Sequence, residues 1–490
     1  MNQNKTPFLT KLIEYTKLKT SQFDVPGHKM GQINDDFSQF VGHNTMMIDV
    51  NAPRGLDNLS NPKGVIKEAQ ALMAEAFHAD NSFFLTNGTS QGIVAMIMAN
   101  VSAKEKIILP RNVHKSIING LILSGAVPIF IKPQMDTYLG IANGIAVDDV
   151  KQAIKENPDV KAILIINPTY FGVASNIKKI VEISHEAGLT VLIDEAHGSH
   201  FAFHDKLPLS GMQANADAAS CSIHKTVGSL TQSSVLLTKG DKIKPNRYRT
   251  MLNIISSTSP SSLLMASLDS SRKYIYLNGQ KELEDIIKLA ETTRNKISEI
   301  KGLEVIKPEY FTDNTEFQYD LTKIIVKVSG LGITGFEAYK DLFDDSRVQL
   351  ELAETHIVLI LLSIGTTHSD IDKLVEGFKK LAIKHKNNKN TVSAVIADAY
   401  PQSYIRPREA AAHAPVKFVK LEDAADEIAA ESIMIYPPGI PVVIPGEILT
   451  QDVIDDLMFY ELQGSTILSD TDGDLVKVID KQKWERWEDI

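Results

Sequence analysis

The chain has 490 residues, of which 51 are Lys or Arg and 61 are Asp or Glu, so its net charge is −10. Hydrophobic residues make up 43% and charged residues 23%, an ordinary globular composition that argues against a disordered protein. The excess of acid argues against nucleic acid as a partner, because nucleic-acid binders usually carry a basic face, and it suits a cationic small substrate.

The cysteine content and the apolar runs limit the class of protein further. A single cysteine, Cys221, excludes an intrachain disulfide framework and a cysteine-cluster metal site. The first residues show neither the apolar core nor the small-residue cleavage site of a secretion signal. The longest aliphatic run, residues 356–364, has about half the length that a membrane span needs. We therefore expect a cytoplasmic protein without a membrane or metal partner.

The length suggests about three domains. Residues 1–60 have little periodicity and predict an arm that packs on something else, with a loosely ordered leader as the alternative. We expect a large domain over 61–270, a small α+β domain over 271–385 and a C-terminal α+β domain over 391–490. The basic, polar stretch at 379–390 is typical of a helix end and a linker with a solvated face.

The pattern becomes regular from residue 61, where Asn61-Pro62 predicts a helix start. One apolar helical face follows, formed by Ala69, Leu72, Met73, Ala76 and Phe77. The next predicted elements are, in chain order, strand 82–85, helix 93–99, strand 106–109, helix 114–123, strand 127–131, strand 162–166, a helix from 177 and strand 190–193. Apolar strands that alternate with helices predict an α/β fold with a mostly parallel sheet, which binds ligands beyond the carboxyl ends of its strands.

The second half of the chain predicts a further α+β unit. Its elements are a helix over 263–277, strands over 323–328 and 357–362, and helices over 335–345 and 369–383. The C-terminal unit carries two turn-rich segments, Tyr436–Pro441 and Pro445–Glu447.

Two segments at predicted strand ends indicate binding sites, one for an anion and one for a cation. The small hydroxyl residues of Asn87-Gly88-Thr89-Ser90 stand where a helix begins, which favours an anion site, although many such junctions are simple N-caps. Asp194 ends an aliphatic strand, where its carboxylate could face a pyridine nitrogen and favour the protonated ring. A capping Asp before a turn is an equally good interpretation of that segment alone.

Two further segments carry a lysine and a histidine. Lys225 follows Asp194 by 31 residues and has Ser222 and His224 as neighbours. A sheltered lysine amine can form a Schiff base with an aldehyde cofactor, whereas a lone lysine is usually a surface residue. His114 could lie flat on an aromatic cofactor, although a lone loop histidine usually has no such role. Together the four segments predict a pyridoxal phosphate site.

Taken jointly, these motifs resemble the Orn/Lys/Arg decarboxylase family, in its short Gram-positive form without an N-terminal wing domain. The resemblance covers essentially the whole chain and rests on Phe23–Lys29, Arg111–Ser116, Asn167–Tyr170, Asp194–Gly198, Ser222–Lys225, Ser257–Pro260 and Tyr436–Glu447. Within the family, the overall similarity is greatest to the biosynthetic arginine decarboxylases of bacilli. The resemblance implies a fold-type I, aspartate aminotransferase-like large domain with a sheet of the seven-stranded type.

The resemblance also implies a role for each matching residue. Lys225 would carry the cofactor, Asp194 would pair with its ring nitrogen, His114 would stack on the ring, and His197 would lie near the other ring substituents. The phosphate would be held by Gly88, Thr89, Ser90, Ser222 and His224, and by Thr258 of a neighbouring subunit. Asp24, His28 and Glu447 would bind the substrate, with Glu447 at its far cationic end. The alternative for Glu447 is an ordinary surface residue.

The implied activity is the decarboxylation of a basic amino acid by a homodimer, or a larger homo-oligomer, with shared sites. Arginine, giving agmatine for polyamine synthesis, is favoured over lysine, giving cadaverine. The proton donor to Cα is His197, Lys225 or another group. An aminotransferase would grip the substrate carboxylate with a small-domain arginine, but Arg347 is the only arginine between residues 295 and 390. A catalytically silent protein of this fold would be expected to lack Lys225 or Asp194.

Overall fold

The computed structural model describes residues 1–313, 315–392, 403–436, 440–462 and 466–484. The predicted turn at Pro437-Pro438-Gly439 lies outside these described residues.

The helices, in chain order, are α1 (Pro7–Thr16), α2 (Asp36–Val41), α3 (His43–Met47), α4 (Val65–Ala76), α5 (Gly88–Asn100), α6 (Lys115–Ser124), α7 (Val147–Glu156), α8 (Ile177–Glu186), α9 (Ile223–Thr226), α10 (Pro245–Ile255), α11 (Ser262–Ser298), α12 (Glu309–Thr312), α13 (Gly335–Ser346), α14 (His368–Lys384) and α15 (Gln451–Leu462). The strands are β1 (Asn81–Leu85), β2 (Lys106–Pro110), β3 (Val127–Ile131), β4 (Met135–Asp136), β5 (Ile141–Ala142), β6 (Ala162–Ile166), β7 (Val173–Ala174), β8 (Thr190–Glu195), β9 (Ala218–Cys221), β10 (Ser234–Thr238), β11 (Glu304–Ile306), β12 (Gln318–Tyr319), β13 (Lys323–Lys327), β14 (Leu352–Ala353), β15 (Ile357–Leu361), β16 (Val416–Lys420), β17 (Ile433–Tyr436), β18 (Ile440–Val443), β19 (Thr466–Leu468) and β20 (Leu475–Ile479).

The chain forms two compact units, each built from two segments. The first unit comprises Met1–Ala99 and Thr190–Glu284, and the second comprises Asn100–Leu189 and Asp285–Ile490. The four-part domain division expected from the sequence stays a prediction. The long helix α11 runs through its expected boundary at residues 270 and 271.

Helix α4 of the first unit buries the apolar face that the sequence predicts, with Leu72 and Met73 at 1% and 0% exposure. The helix begins at Val65 rather than at Asn61-Pro62. The reason is a cap supplied from upstream, since the carboxylate of Asp57 accepts hydrogen bonds from the backbone N–H groups of Gly64, at 2.7 Å, and Ile66, at 3.1 Å. These two groups are among those that a helix start leaves unpaired.

The sheet strands of the first unit lie in the order β1-β10-β9-β8. Strands β8 and β9 pair in parallel, as expected, but β10 is antiparallel to both β9 and β1. The physical reason lies in the connection between β9 and β10. The connection, residues 222–233, has about the minimum length of a parallel crossover, but its helix α9 has only four residues and is too short to run back along the sheet.

The N-terminal residues pack within the first unit. Phe8 and Leu12 of α1 are buried, at 2% and 0% exposure. The carboxylate of Asp269, on α11, accepts hydrogen bonds from the backbone N–H of Phe8, at 3.0 Å, and forms a 2.8 Å ion pair with Arg272. Arg272 also donates to the backbone oxygen of Gln3 at 2.7 Å. The start of the predicted arm is therefore anchored on its own chain.

In the second unit, β2 pairs in parallel with β3 on one side and β6 on the other. A separate antiparallel sheet has the order β11-β13-β15-β14 and packs with α13 and α14 around a common apolar core. Capping boxes start both helices, with Thr334 and Glu337 on α13 and Thr367 and Asp370 on α14. The C-terminal segment adds the sheet β18-β17-β19 and the pair β16-β20.

The predicted α/β class is confirmed by this arrangement. Strands β3 and β6 have the predicted bounds, and the parallel pairs β2-β3, β2-β6 and β8-β9 alternate along the chain with α6, α7 and α8. Helix α14 ends at Lys384, inside the predicted basic helix end. Across the described part of the chain, no helix combines the length and the apolar character that a membrane crossing requires.

Candidate active site

Three strands of the first unit end at the same edge of the sheet. Strands β1 and β9 each pair antiparallel with β10, so they run in the same direction, and β8 runs parallel to β9. The segments that follow them, Asn87–Ser90, Asp194–Gly198 and Ser222–Lys225, therefore leave the sheet at one edge. This is the edge where open α/β sheets bind their ligands, as the sequence predicts.

The lysine and a histidine from two of these segments are in contact. Nζ of Lys225 lies 3.0 Å from Nε2 of His197, within hydrogen-bonding distance. His197 is buried, with 4% of its surface exposed, and Lys225 is half-buried. An amine and an imidazole at this distance can exchange a proton directly.

Asp194 is a buried carboxylate at the end of β8, with 5% exposure. Burial raises its pKa from 3.8 to about 6, against the opposing effects of the Ala196 N–H, which donates to Oδ1 at 3.2 Å, and of the Lys225 charge. A carboxylate that is short of partners gains from a further cation. The site thus favours a positively charged group beside Asp194.

Three hydroxyl groups meet where α5 begins. Oγ1 of Thr89 lies 2.5 Å from Oγ of Ser222 and donates to Oγ of Ser234 at 3.2 Å. Helix α5 starts at Gly88, which has a φ of +70°, and its first turn contains no acidic residue. Hydroxyl donors beside a helix N-terminus without acidic side chains suit an anion such as a phosphate.

His224, two residues after Ser222, is half-buried. Its Nδ1 lies 2.9 Å from the backbone oxygen of Ser233 and must donate to it, because a carbonyl oxygen only accepts. Burial lowers the pKa of His224, and the charge of Lys225 lowers it as well, although the bond to Ser233 has the opposite effect. The cofactor role of His224 stays a prediction.

These residues fit pyridoxal phosphate by the chemistry of their donors. Lys225 offers an amine for the aldehyde, Asp194 offers a carboxylate for the ring nitrogen, and the hydroxyls of Thr89, Ser222 and Ser234 offer donors for the phosphate. The first unit alone supplies all three functions.

The remaining predicted site residues divide into those of the first unit and those of the second. In the first unit, Ser90, Thr258 and Asp24 are exposed. His28 bonds within the N-terminal segment, where Nδ1 accepts from the Gly31 N–H at 3.1 Å and Nε2 lies 3.2 Å from Asp49 Oδ2. The cofactor and substrate roles of these residues stay predictions.

His114 and Glu447 belong to the second unit. His114 caps α6, and its Nδ1 accepts from the Ser116 N–H at 3.2 Å. Glu447 is 1% exposed and accepts from Arg111 at 2.7 and 3.2 Å, so the alternative of an ordinary surface glutamate is wrong. The stacking of His114 on the cofactor and the contact of Glu447 with the substrate stay predictions.

Sequence reasoning missed Ser234, the first residue of β10. Because β10 runs opposite to its neighbours, its first residue reaches the same edge as the last residues of β1 and β9. The signal in the sequence was the hydroxyl pair Ser233-Ser234 directly before the apolar run Val235-Leu236-Leu237. The pair points to the site only once β10 is known to be antiparallel to its neighbours.

Comparison with known proteins gives matches along nearly the whole chain. Residues 6–370 match the family "Orn/Lys/Arg decarboxylase, major domain", and residues 389–466 match its C-terminal domain. An arginine decarboxylase of Bacillus subtilis (strain 168) is 41% identical over 488 residues, which cover 99% of both chains. An arginine decarboxylase of Halalkalibacterium halodurans is 44% identical over 453 residues, which cover 92% of both chains.

A solved structure supports the fold independently. The lysine decarboxylase LdcF of Francisella novicida aligns with a TM-score of 0.83 at 22% identity, covering 97% of this chain and 81% of that one. At this identity the likeness concerns the fold alone. The sequence matches and the shared fold agree with the resemblance that the motifs predict, and the chain belongs to the Orn/Lys/Arg decarboxylase family.

Proposed function

We propose that the protein decarboxylates L-arginine to agmatine and CO2, with pyridoxal phosphate held at Lys225. The observation that carries the proposal is the 3.0 Å contact between Lys225 and His197 in the unit that also buries Asp194. Support for arginine comes from relatives called arginine decarboxylase, at 41% and 44% identity over nearly the whole chain.

The cofactor, when bound, supplies an electron-poor ring that takes up the electrons left by the departing carboxylate. Asp194 favours the protonated, more electron-poor form of that ring. In the chain without cofactor, burial raises the pKa of Asp194 to about 6, and a positive ring nitrogen lowers it again, because an opposite charge stabilises the carboxylate. A positive ring nitrogen would therefore stabilise the ionised form of Asp194.

The hydroxyl cluster holds the phosphate in this proposal. Thr89, Ser222 and Ser234 come from three different segments, so their donors surround one point rather than lining one helix. Their mutual hydrogen bonds orient them before the phosphate arrives, which reduces the entropic cost of binding.

His197 and Lys225 manage the proton that replaces CO2 at Cα. When Lys225 is not bound to the cofactor, its Nζ would hold a proton, which it could exchange with Nε2 of His197 at 3.0 Å. Either nitrogen is a candidate donor to Cα. Since His197 is buried, that proton is sheltered from exchange with bulk water.

The dimer and several site residues belong to the same proposal. We expect a homodimer in which Thr258 of one subunit reaches the phosphate in the other, and the exposure of Thr258 is compatible with that role. We also expect a cytoplasmic location.

Aminotransfer is the second candidate for a pyridoxal phosphate enzyme. It is disfavoured because Arg347 ends α13 in a left-handed conformation, φ +54°, with its guanidinium 5.7 Å from the Phe343 ring. Arg294, one residue before the stretch 295–390 in which Arg347 is the only arginine, donates to the backbone oxygens of Leu321 and Lys323. Arg294 is thus engaged in structural hydrogen bonds, and the guanidinium of Arg347 is exposed beside a ring of its own helix.

The test is a substrate panel on the purified holoenzyme. We expect kcat/KM for CO2 release to be higher with arginine than with lysine or ornithine, because a planar guanidinium pairs in two-pronged fashion with carboxylates. Incubation with arginine and a 2-oxo acid should yield agmatine and no new amino acid. A higher kcat/KM with lysine would reassign the substrate, and a new amino acid would reassign the reaction.

A further inference from the structure

A small cavity lies within the first unit and is lined by residues of α4, β1, α5 and α10. Its volume is about 20 Å³, above the roughly 10–15 Å³ that one water molecule needs. Among its described lining residues none is acidic, and Thr89, Ser222 and Ser234 do not belong to them. The cavity thus has room for one compact group and is lined by different residues from the hydroxyl cluster.

Arg249, on α10, brings a positive charge to this cavity. Its guanidinium lies over the Phe83 ring, with Cζ 5.3 Å from the ring centroid. Within the described part of the chain, this guanidinium forms neither a hydrogen bond nor an ion pair. Burial lowers the pKa of Arg249, with no opposing effect from a described acidic residue. A guanidinium stacked on a ring keeps the N–H donors at its edge available for a partner in its own plane.

Gln70, on α4, lines the same cavity with an unpaired amide. The residue is only 6% exposed. Its backbone oxygen accepts from Ser82 Oγ at 2.7 Å, but its side-chain amide has no hydrogen-bond partner among the described residues. Leaving a buried amide unpaired costs free energy, so proteins rarely keep one without a bound partner. A group held in the cavity can accept the N–H of this amide.

Two further amides of the cavity already have partners. Oε1 of Gln91 accepts from the Asn87 N–H at 3.3 Å, and its Nε2 donates to Ser256 Oγ at 2.5 Å. Asn253 donates to the backbone oxygen of Ser60 at 3.1 Å. These bonds fix the wall of the cavity. They leave the guanidinium and the α4 amide as the two groups there whose N–H donors have no partner in the described residues.

We propose that this cavity binds a small planar oxyanion, either a carboxylate group or bicarbonate, between Arg249 and Gln70. A guanidinium pairs with such a group through two parallel N–H···O bonds, a geometry that chloride cannot match. The Gln70 amide supplies a third donor, in a buried site where hydrogen bonds are stronger than in water. The stretch 242–268 around Arg249 contains four basic and no acidic residues in a chain of net charge −10, which also favours an anion.

The test measures the binding of two probes to the full-length holoenzyme by NMR line broadening. The probes are carbon-13-labelled formate, the smallest carboxylate, and carbon-13-labelled bicarbonate, with chloride keeping the ionic strength constant. We expect saturable binding of at least one probe to the wild type, and the probe that binds tells a carboxylate from bicarbonate. Arg249→Gln should weaken this binding about 10- to 100-fold, the range for lost hydrogen bonds to a charged group.

Arg247→Gln is the matched control. Arg247 lies on the same helix, is exposed, and donates to the backbone oxygen of Ala99, so this variant should bind the probe like the wild type. Gln70→Leu is a second variant in case Arg249→Gln fails to fold. It should weaken binding without lowering the thermal midpoint, since it replaces an unpaired amide by an apolar group.

Two results would overturn the proposal. One is that the wild type binds neither formate nor bicarbonate in a saturable way. The other is that a folded Arg249→Gln or Gln70→Leu protein binds the probe as tightly as the wild type, which would place the oxyanion elsewhere on the molecule. The proposal does not depend on the proposed decarboxylation, because Lys225 and Asp194 do not line the cavity.

Discussion

Nζ of Lys225 lies 3.0 Å from Nε2 of His197, although 28 residues separate them along the chain. The parallel pairing of β8 with β9 brings them together, because each residue follows the carboxyl end of one of these neighbouring strands. Pairing puts Asp194 beside Ser220, so the residues just after each strand necessarily lie close. The contact is thus a consequence of sheet topology.

The first prediction concerns the proton that this contact can carry. His197→Asn removes the titratable nitrogen while keeping a polar side chain, and we expect kcat to fall by about 10²-fold or more, as for the loss of a general acid or base. KM for arginine should change much less. Steady-state kinetics check this. His204→Asn is the control, since Nε2 of His204 contacts Glu284 Oε2 at 3.0 Å rather than Lys225 Nζ. A wild-type kcat in His197→Asn would contradict the assignment.

The second prediction uses the raised pKa of Asp194. The folded apoprotein has a pKa of about 6 at a group that ordinarily titrates at 3.8, so folding favours the protonated form. The contribution of Asp194 to the free energy of unfolding is therefore fully present below about pH 4 and is lost as the pH rises through about 6. Asp194→Asn keeps the bond from the Ala196 N–H and should stabilise the apoprotein at pH 8 by up to about 3 kcal/mol.

Thermal unfolding of the cofactor-free proteins at several pH values tests this second prediction. The advantage of Asp194→Asn should shrink as the pH falls from 6 towards 4. In the presence of cofactor the order should reverse, since only the carboxylate pairs with a positive ring nitrogen. Equal apoprotein midpoints at pH 8 would show that Asp194 carries no burial cost.

The third prediction concerns the close packing behind the hydroxyl cluster. A Cβ at Gly92 would lie 2.2 Å from Ser220 Oγ and 2.8 Å from Leu85 Cδ1. Because Ser220 Oγ also donates to the backbone oxygen of Thr89 at 3.2 Å, Gly92→Ala must displace the start of α5. We expect the Kd for pyridoxal phosphate to rise about tenfold, which corresponds to about 1.4 kcal/mol.

Titration of the apoprotein with pyridoxal phosphate measures this Kd. Gly365→Ala is the control, because a Cβ at Gly365 would meet nothing within 4 Å. A Gly92→Ala protein that binds the cofactor as tightly as the control would mean that the hydroxyl cluster does not hold the phosphate.

The fourth prediction concerns the anchor of the N-terminal segment. Arg272→Ala leaves Asp269 as a buried, unpaired carboxylate and removes the bond to the Gln3 backbone, so we expect a loss of about 3–5 kcal/mol in the free energy of unfolding. Urea unfolding checks the size. A loss below about 1 kcal/mol, the range of an exposed pair, would show that the pair is not buried in solution.

The sequence predicts the local elements better than their pairing. Strands β3 and β6 have the predicted bounds because their apolar runs are short and end sharply. Helix α11 extends to Ser298, well beyond the predicted end at residue 277, since its polar second half hides the helical period. The direction of β10 was not predictable from apolar character, which is the same in parallel and antiparallel strands of a buried sheet.

The site residues that the sequence predicts are those whose side-chain type, in its motif, indicates a single chemical role. Lys225, Asp194 and Thr89 stand in motifs whose chemistry can be interpreted directly, and all three lie in the first unit. Ser234 was missed because its position depends on strand direction. The Arg111 partner of Glu447 was missed because a contact over 336 residues leaves no local pattern.

The central claim is that the cofactor is bound covalently through Lys225, and reductive trapping tests it most directly. The holoenzyme is treated with borohydride, digested, and searched by mass spectrometry for the lysine that carries the reduced cofactor. The account predicts the label on the peptide that contains Lys225, and no label in Lys225→Ala. A label on a different lysine, or an active enzyme without any label, would contradict it.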